Sequence, residues 1–170
     1  MATTKSKPKD AIDLLVSDHK EVKTMFEEFE GLSDRAKASK KKLADQICEA
    51  LTVHTMVEEE IFYPAARAAL DEEDLMDEAV VEHASAKELI AQILSMEAGD
   101  DLYDAKVKVL SEQIEHHVKE EETEMFPKVR KTKLDLVELG EQMLARKEEA
   151  QTSVHAALLK QAKASPSVRP

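Results

Sequence analysis

The sequence predicts an all-α protein, an up-down-up-down four-helix bundle with an additional C-terminal helix. Three observations carry that expectation. Ala, Leu, Glu and Lys dominate the 170 residues, with only 3 Gly, 5 Pro and no Trp, a composition that favours helix. Apolar residues recur three and four positions apart in long segments joined by short polar stretches, the period of an amphipathic helix. The two halves of the chain also repeat one another around a shared His–Glu–Pro pattern. The length suits one domain with a real core.

In chain order, residues 1–9 are polar, contain Pro8 and read as a disordered arm. Asp10 is a good N-cap for a first helix ending near Gly31, with Ile12, Leu15, Val16, Val22, Phe26 and Phe29 on one face. A loop runs through Ser33 and Asp34 to Ser39. The second helix spans about Lys40 to Leu70 on Leu43, Ile47, Leu51, Val57, Ile61 and Phe62, and Asp71 to Asp74 break its pattern. The third carries Leu75, Ala79, Val80, Ala86, Ile90, Ile93 and Leu94 before Gly99. The fourth starts near Asp101 and shows Tyr103, Val107, Leu110, Ile114, Met125 and Val129. These make a bundle domain over 10–132. A fifth amphipathic stretch, 133–163, is expected to pack outside the bundle or against a partner, and 164–170 to form a disordered tail.

The repeat aligns His54, Glu58, Glu59 and Pro64 with His117, Glu121, Glu122 and Pro127, and His19 and His83 precede these at nearly equal intervals. The chain reads as two helical hairpins of one design, which would pack into a site of approximate two-fold symmetry. One histidine falls on each bundle helix in line with the apolar stripe: His19, His54, His83 and His117. Glu58 and Glu121 lie four residues beyond a histidine, one turn along the same face. Burying even a polar group unpartnered costs roughly 2–7 kcal/mol, and no Arg or Lys stands at these positions to compensate two carboxylates. A pair of metal ions supplies that charge directly. No Cys stands among the ligands, which excludes thiolate zinc and iron–sulfur sites. His and carboxylate in a bundle core point to two irons, with zinc or manganese as the alternatives. Glu122 is the competitor of Glu121 for the second bridge.

Phe26, Phe62, Tyr63, Met56 and Phe126 read as core, with Phe26 and Phe62 placed to line a ligand pocket. Pro64 and Pro127 read as kinks beyond the site. His116 points about 100° from His117 and is expected to be exposed, and His155 lacks a carboxylate in phase, so neither is a ligand.

His19, His54-x-x-x-Glu58, His83 and His117-x-x-x-Glu121, with the paired Glu-Glu and the Pro that closes each repeat, resemble the hemerythrin-like HHE cation-binding domain over about Asp10 to Lys131. The resemblance implies a hemerythrin-like four-helix fold. It implies two iron ions in an oxo- or hydroxo-bridged di-iron centre, and binding of dioxygen, nitric oxide or peroxide. One position departs from the oxygen carriers of that family: where they place a fifth histidine, four residues after His83, this chain has Lys87. The implied site is two His per iron with two bridging Glu, and peroxide or redox chemistry gains over reversible oxygen storage.

A formal charge of −12 has the wrong sign for nucleic-acid phosphates or anionic membranes, and no run is long enough to span a bilayer. The first residues hold no apolar stretch of the signal-peptide kind, and the single Cys48 reads as a packed thiol in a reducing compartment. A cytoplasmic protein with a small-molecule ligand is expected. Three uses of the site compete: binding, ranked first; an enzyme that decomposes hydrogen peroxide; and iron storage or donation.

Overall fold

The structure is a computed structural model that describes residues 10–164. Five helices and no strand occur among the described residues. Helix α1 is Ala11–Gly31. Helix α2 occupies 37–69 and α4 occupies 103–130, each in three parts described below. Helix α3 is Glu73–Leu94 and α5 is Leu136–Ala164. The arm at 1–9 and the tail beyond 164 lie outside the described residues.

Asp10 caps α1 as its sequence predicts, its carboxylate accepting from the Asp13 amide at 2.9 Å, and the helix ends at Gly31. Helix α2 begins at Lys37 rather than Lys40, because Ser33–Ala36 already close a turn through a 3.0 Å backbone bond. The turn into α4 passes through Gly99 and Leu102, both with positive φ (104° and 70°). Asp135 caps α5 by accepting from the Glu138 amide at 3.1 Å.

Neighbouring helices pack around a closed ring, α1 on α2, α2 on α3, α3 on α4 and α4 back on α1, while α5 lies across α1 and α2. The fifth helix therefore packs outside the bundle. Its approach needs Gly140: a Cβ there would meet the backbone of Ala11 at 2.7 Å and of Asp10 at 2.9 Å. The core is split into two apolar clusters. One holds Leu15, Phe62, Tyr63, Met76, Met125, Phe126 and Met143. The other holds Val22, Phe26, Phe29, Ile47, Leu51, Ile93 and Leu110. Along each bundle helix the histidines and glutamates fall between the two, in a polar layer closed off from water on both sides. Among the described residues no helix is long and apolar enough to cross a membrane.

Candidate metal centre

Each bundle helix sends side chains into that layer: His19 from α1, His54 and Glu58 from α2, His83 from α3, His117 and Glu121 from α4. All six are buried, Glu58 and Glu121 to 0% and 1% exposure. Glu58 Oε1 lies 2.7 Å from His54 Nε2 and 3.9 Å from His19 Nε2, while Oε2 lies 3.1 Å from His83 Nε2 and 4.0 Å from His117 Nε2. The two oxygens of one carboxylate thus face two different histidine pairs. Glu121 Oε1 stands 3.0 Å from His117 Nε2 and 3.4 Å from His19 Nε2, again spanning both halves. His19, His54, Glu58 and Glu121 make one cluster of metal-ligand spacing, and Glu58, His83 and His117 make the other.

The outward edges of the rings are organised as carefully. Asp18 lies 3.0 Å from His54 Nδ1, Glu82 3.3 Å from His117 Nδ1 and Glu122 3.2 Å from His19 Nδ1, whereas Glu59 stands 3.9 Å from His83 Nδ1, beyond hydrogen-bond reach, and that nitrogen has no hydrogen-bond partner. An ionised carboxylate only accepts hydrogen bonds, so it favours the proton on Nδ1 and leaves the Nε2 lone pair pointing inward, as in carboxylate–histidine–metal chains. Asp18 and Glu82 obey the two-fold repeat. The residue before His19 serves His54 and the residue before His83 serves His117. Of the residues five after His54 and His117, Glu122 serves His19, while Glu59 pairs with Lys87 instead. Glu122 accordingly sits behind His19, with its side chain 36% exposed, while Glu121 faces the interior.

Two features escaped the sequence reading. Immediately at the candidate ligands the helices change period: Glu58–Phe62 and Glu121–Met125 are π turns, closed by Tyr63 N–H to Glu58 O and Phe126 N–H to Glu121 O. Pro64 and Pro127 are not kinks beyond the site. They are the second residues of the α segments that follow, Tyr63–Ala69 and Phe126–Arg130, directly after the π turns. In an unbroken α-helix of about 100° per residue, Tyr63 would lie about 180° from His54. The extra residue of the π turn rotates it back into the centre. Its hydroxyl donates to Glu121 Oε2 at 3.1 Å and lies 3.1 Å from His83 Nε2 and 3.3 Å from His117 Nε2. The repeat mate of Tyr63 is Phe126, whose ring stacks 5.9 Å from His19. Tyr63 is thus a seventh polar group of the site, and the paired prolines were its only sequence signal.

Of the other aromatic and sulfur side chains, Phe62 is buried against Phe126, whereas Phe26 belongs to the opposite apolar cluster and Met56 is half-buried. His116 is 66% exposed, 3.0 Å from Glu120. His155 pairs at 3.0 Å with Glu49 of α2, a partner its own helix could not show. Lys87 is half-exposed and ion-paired with Glu59. Cys48 is packed, and burial pushes its thiol up to about 12.

Electrostatics test whether the layer suits cations. Burial opposes a charged His54 ring, yet Glu58 and Asp18 override it and hold the protonated form up to about 10. His117 is held up to about 11 by Glu121 and Glu58 against the same burial. Burial would raise the Glu58 carboxyl, but the surrounding imidazoles bring it well below its usual range. Burial, then Glu58 and Glu121, drive the Tyr63 phenol well above its ordinary value. Both Glu58 oxygens, Glu121 Oε1, His19 Nε2 and His83 Nδ1 are buried in this layer without a hydrogen-bond partner; all but His83 Nδ1 are atoms a cation pair would engage. The donor set fits two hard-to-borderline cations.

Fold and site together define a helical bundle with buried histidine–carboxylate clusters of metal-ligand spacing. The sequence signature of the Hemerythrin HHE cation binding domain matches residues 10–129, and this chain belongs to that family. A hemerythrin HHE cation binding domain-containing protein from Mycobacterium kansasii has a similar crystal structure, with TM-score 0.72 and 26% identity over 85% of this chain and 88% of that one. A DNA nickase from Nostoc sp. is 30% identical over 118 residues, which are 69% of this chain and 33% of the nickase. The match thus spans about a third of that relative.

Proposed function

We propose that this protein is a non-heme di-iron protein whose centre binds dioxygen or a related small molecule, nitric oxide or peroxide. The observation that carries the reading is Glu58: its two oxygens face the His19–His54 pair and the His83–His117 pair respectively, the arrangement of a carboxylate bridging two cations. Iron is what the resemblance to hemerythrins implies; the family match itself names a cation, and the imidazole–carboxylate donor set also accommodates zinc or manganese.

The chain's own residues set what such a pair can do. Two irons would supply Lewis acidity and electrons to a bound oxygen species. His83 and His117 have the Tyr63 hydroxyl beside them as a further oxygen donor. His19 and His54 have no such donor, and the Phe126 ring faces His19 instead. The apolar wall admits a small, weakly hydrated ligand and excludes bulk water. Peroxide decomposition is the second reading, favoured by Lys87 standing outside the centre where a fifth histidine would complete an oxygen carrier. The nickase is matched over only 33% of its length, so its activity is left to that longer relative; the net charge of −12 argues against phosphate recognition by this chain.

The test is metal analysis and visible spectra of iron-replete protein before and after dioxygen, nitric oxide and hydrogen peroxide, with an oxygen-electrode trace for the last. Two irons per chain and a stable coloured adduct support binding. Iron-dependent oxygen release that is lost in His54→Ala places the enzyme reading first. One zinc per chain and no colour after iron loading would sink both.

A further inference from the structure

The two halves of the centre repeat one another at Asp18 and Glu82, the carboxylates behind His54 and His117, and beyond these two the symmetry breaks. Asp18 and Glu82 occupy equivalent positions, each one residue before a candidate ligand and each against Nδ1 of the other histidine of its hairpin. The second oxygen of Glu82 faces outward, 3.8 Å from His116, which is 66% exposed. The second oxygen of Asp18 instead receives the Lys147 ammonium at 2.6 Å, with side-chain exposure 21% for Lys147 and 10% for Asp18. Lys147 comes from α5, 129 residues along the chain.

The placement follows from the periodicity of α5. Leu139, Met143 and Ala150 are its buried residues, and Lys147 lies four after Met143 and three before Ala150, on the same stripe. An ammonium on an apolar stripe needs a buried counter-charge. Asp18 is that charge, and the close approach at Gly140 is what brings α5 within reach. A cavity of about 360 Å³ between α1, α2 and α5 is lined by Asp18, His54, Lys147 and Gln151 among others. Losing the ammonium would therefore open Asp18 to water rather than close the gap.

We propose that Lys147 is a positioning residue of the metal centre: by holding Asp18 it fixes the orientation of His54, so that α5 makes the His19–His54 side unlike the His83–His117 side. The inference rests on the dinuclear reading above. Removing a partner behind a ligand histidine typically weakens metal affinity about 10–100-fold, and here the loss should fall on one of two ions.

The experiment uses the full chain loaded with Co(II), a spectroscopic probe that needs no oxygen chemistry. Wild-type protein is expected to hold two ions, released to a chelator in resolvable phases. In Lys147→Met one phase accelerates about 10–100-fold and the d–d band of that ion shifts, while the other phase is unchanged. Lys147→Arg restores the slow phase. Arg146→Met, which removes the neighbouring α5 ion pair with Glu60, behaves as wild type. If Lys147→Met does not fold, Lys147→Gln, shorter but with an uncharged donor, should show the same single-phase change. Release and spectra identical to wild type in the Lys147 variants overturn the proposal. So does equal acceleration of both ions in Lys147→Met and Arg146→Met, which would mean that α5 only docks. A wild-type chain that binds no Co(II) removes the dinuclear reading and this inference with it.

Discussion

Loading the centre with divalent metal should expel two protons per chain. Without cations between them, the buried carboxylates and imidazoles neutralise one another as ion pairs. The protonated forms of His54 and His117 persist up to about 10 and about 11. At pH 7 both rings are therefore protonated, and neither can bind metal until its Nε2 proton leaves. Two protons lost per loaded chain follow, and the logarithm of overall affinity should rise with a slope of two against pH, about 100-fold per pH unit below pH 10.

The same groups set the sign of the stability change. Their folded values lie above the ordinary 6.5. Metal-free protein thus has their full stabilisation below pH 6.5 and loses it as pH rises towards 10 and 11. Asp18, Glu58 and Glu121 are lowered, so their contribution is present above the usual carboxylate range and is lost in acid. The assay is Co(II) titration in weakly buffered indicator dye at pH 7, with competition titrations at pH 6.5 and 7.5. Thermal melts of loaded and metal-free protein from pH 6 to 10 complete it. Fewer than one proton per chain, or an affinity that does not change over that pH unit, would refute the reasoning.

Glu58→Ala should lose both metals, measured by metal analysis, because its two oxygens serve both histidine pairs. Glu122→Gln should keep both at about 10–100-fold weaker affinity, as it sits behind His19. Tyr63→Phe makes the two repeats alike at this position. It should retain two irons but lose any phenolate-to-iron visible band, read by absorption spectroscopy. Gly140→Ala should destabilise the protein by about 1–3 kcal/mol in urea melts, because the added methyl meets the Ala11 backbone at 2.7 Å. Leu102→Gly should stabilise it by about 1 kcal/mol in the same assay, since Leu102 is 67% exposed and held at φ 70°.

The bundle and the inward set were legible because both obey one period. His19, His54, His83 and His117 sit in apolar stripes, and Glu58 and Glu121 follow one turn later. What was hidden breaks that period or lies beside it. Tyr63 is about 180° out of phase with His54 on an ideal helix, and only a change of helix type brings it in. Asp18 and Glu82 sit about 100° from the ligands, where a charged residue reads as solvent-facing; their partners are on other helices. Lys147 was legible in principle, as one of two cations, with Arg146, that fall within the period of Met143 and Ala150. Its meaning depended on Asp18, far away in sequence.

A repeat that builds a two-fold site also builds two equivalent metal positions, and equivalent positions divide no labour. This chain departs from its own repeat at two points that touch the centre. Tyr63 against Phe126 gives one histidine pair an oxygen donor and the other an apolar wall. Lys147 against His116 gives the carboxylate behind His54 a shielded ammonium and the one behind His117 an exposed imidazole. The donor and the ammonium fall on opposite sides. The His83–His117 position is thus the better furnished with ligands. The His19–His54 position has the apolar wall, and α5 secures its histidine from behind. If a small molecule enters this centre, the physics of donor supply and desolvation sends it to the His19–His54 side.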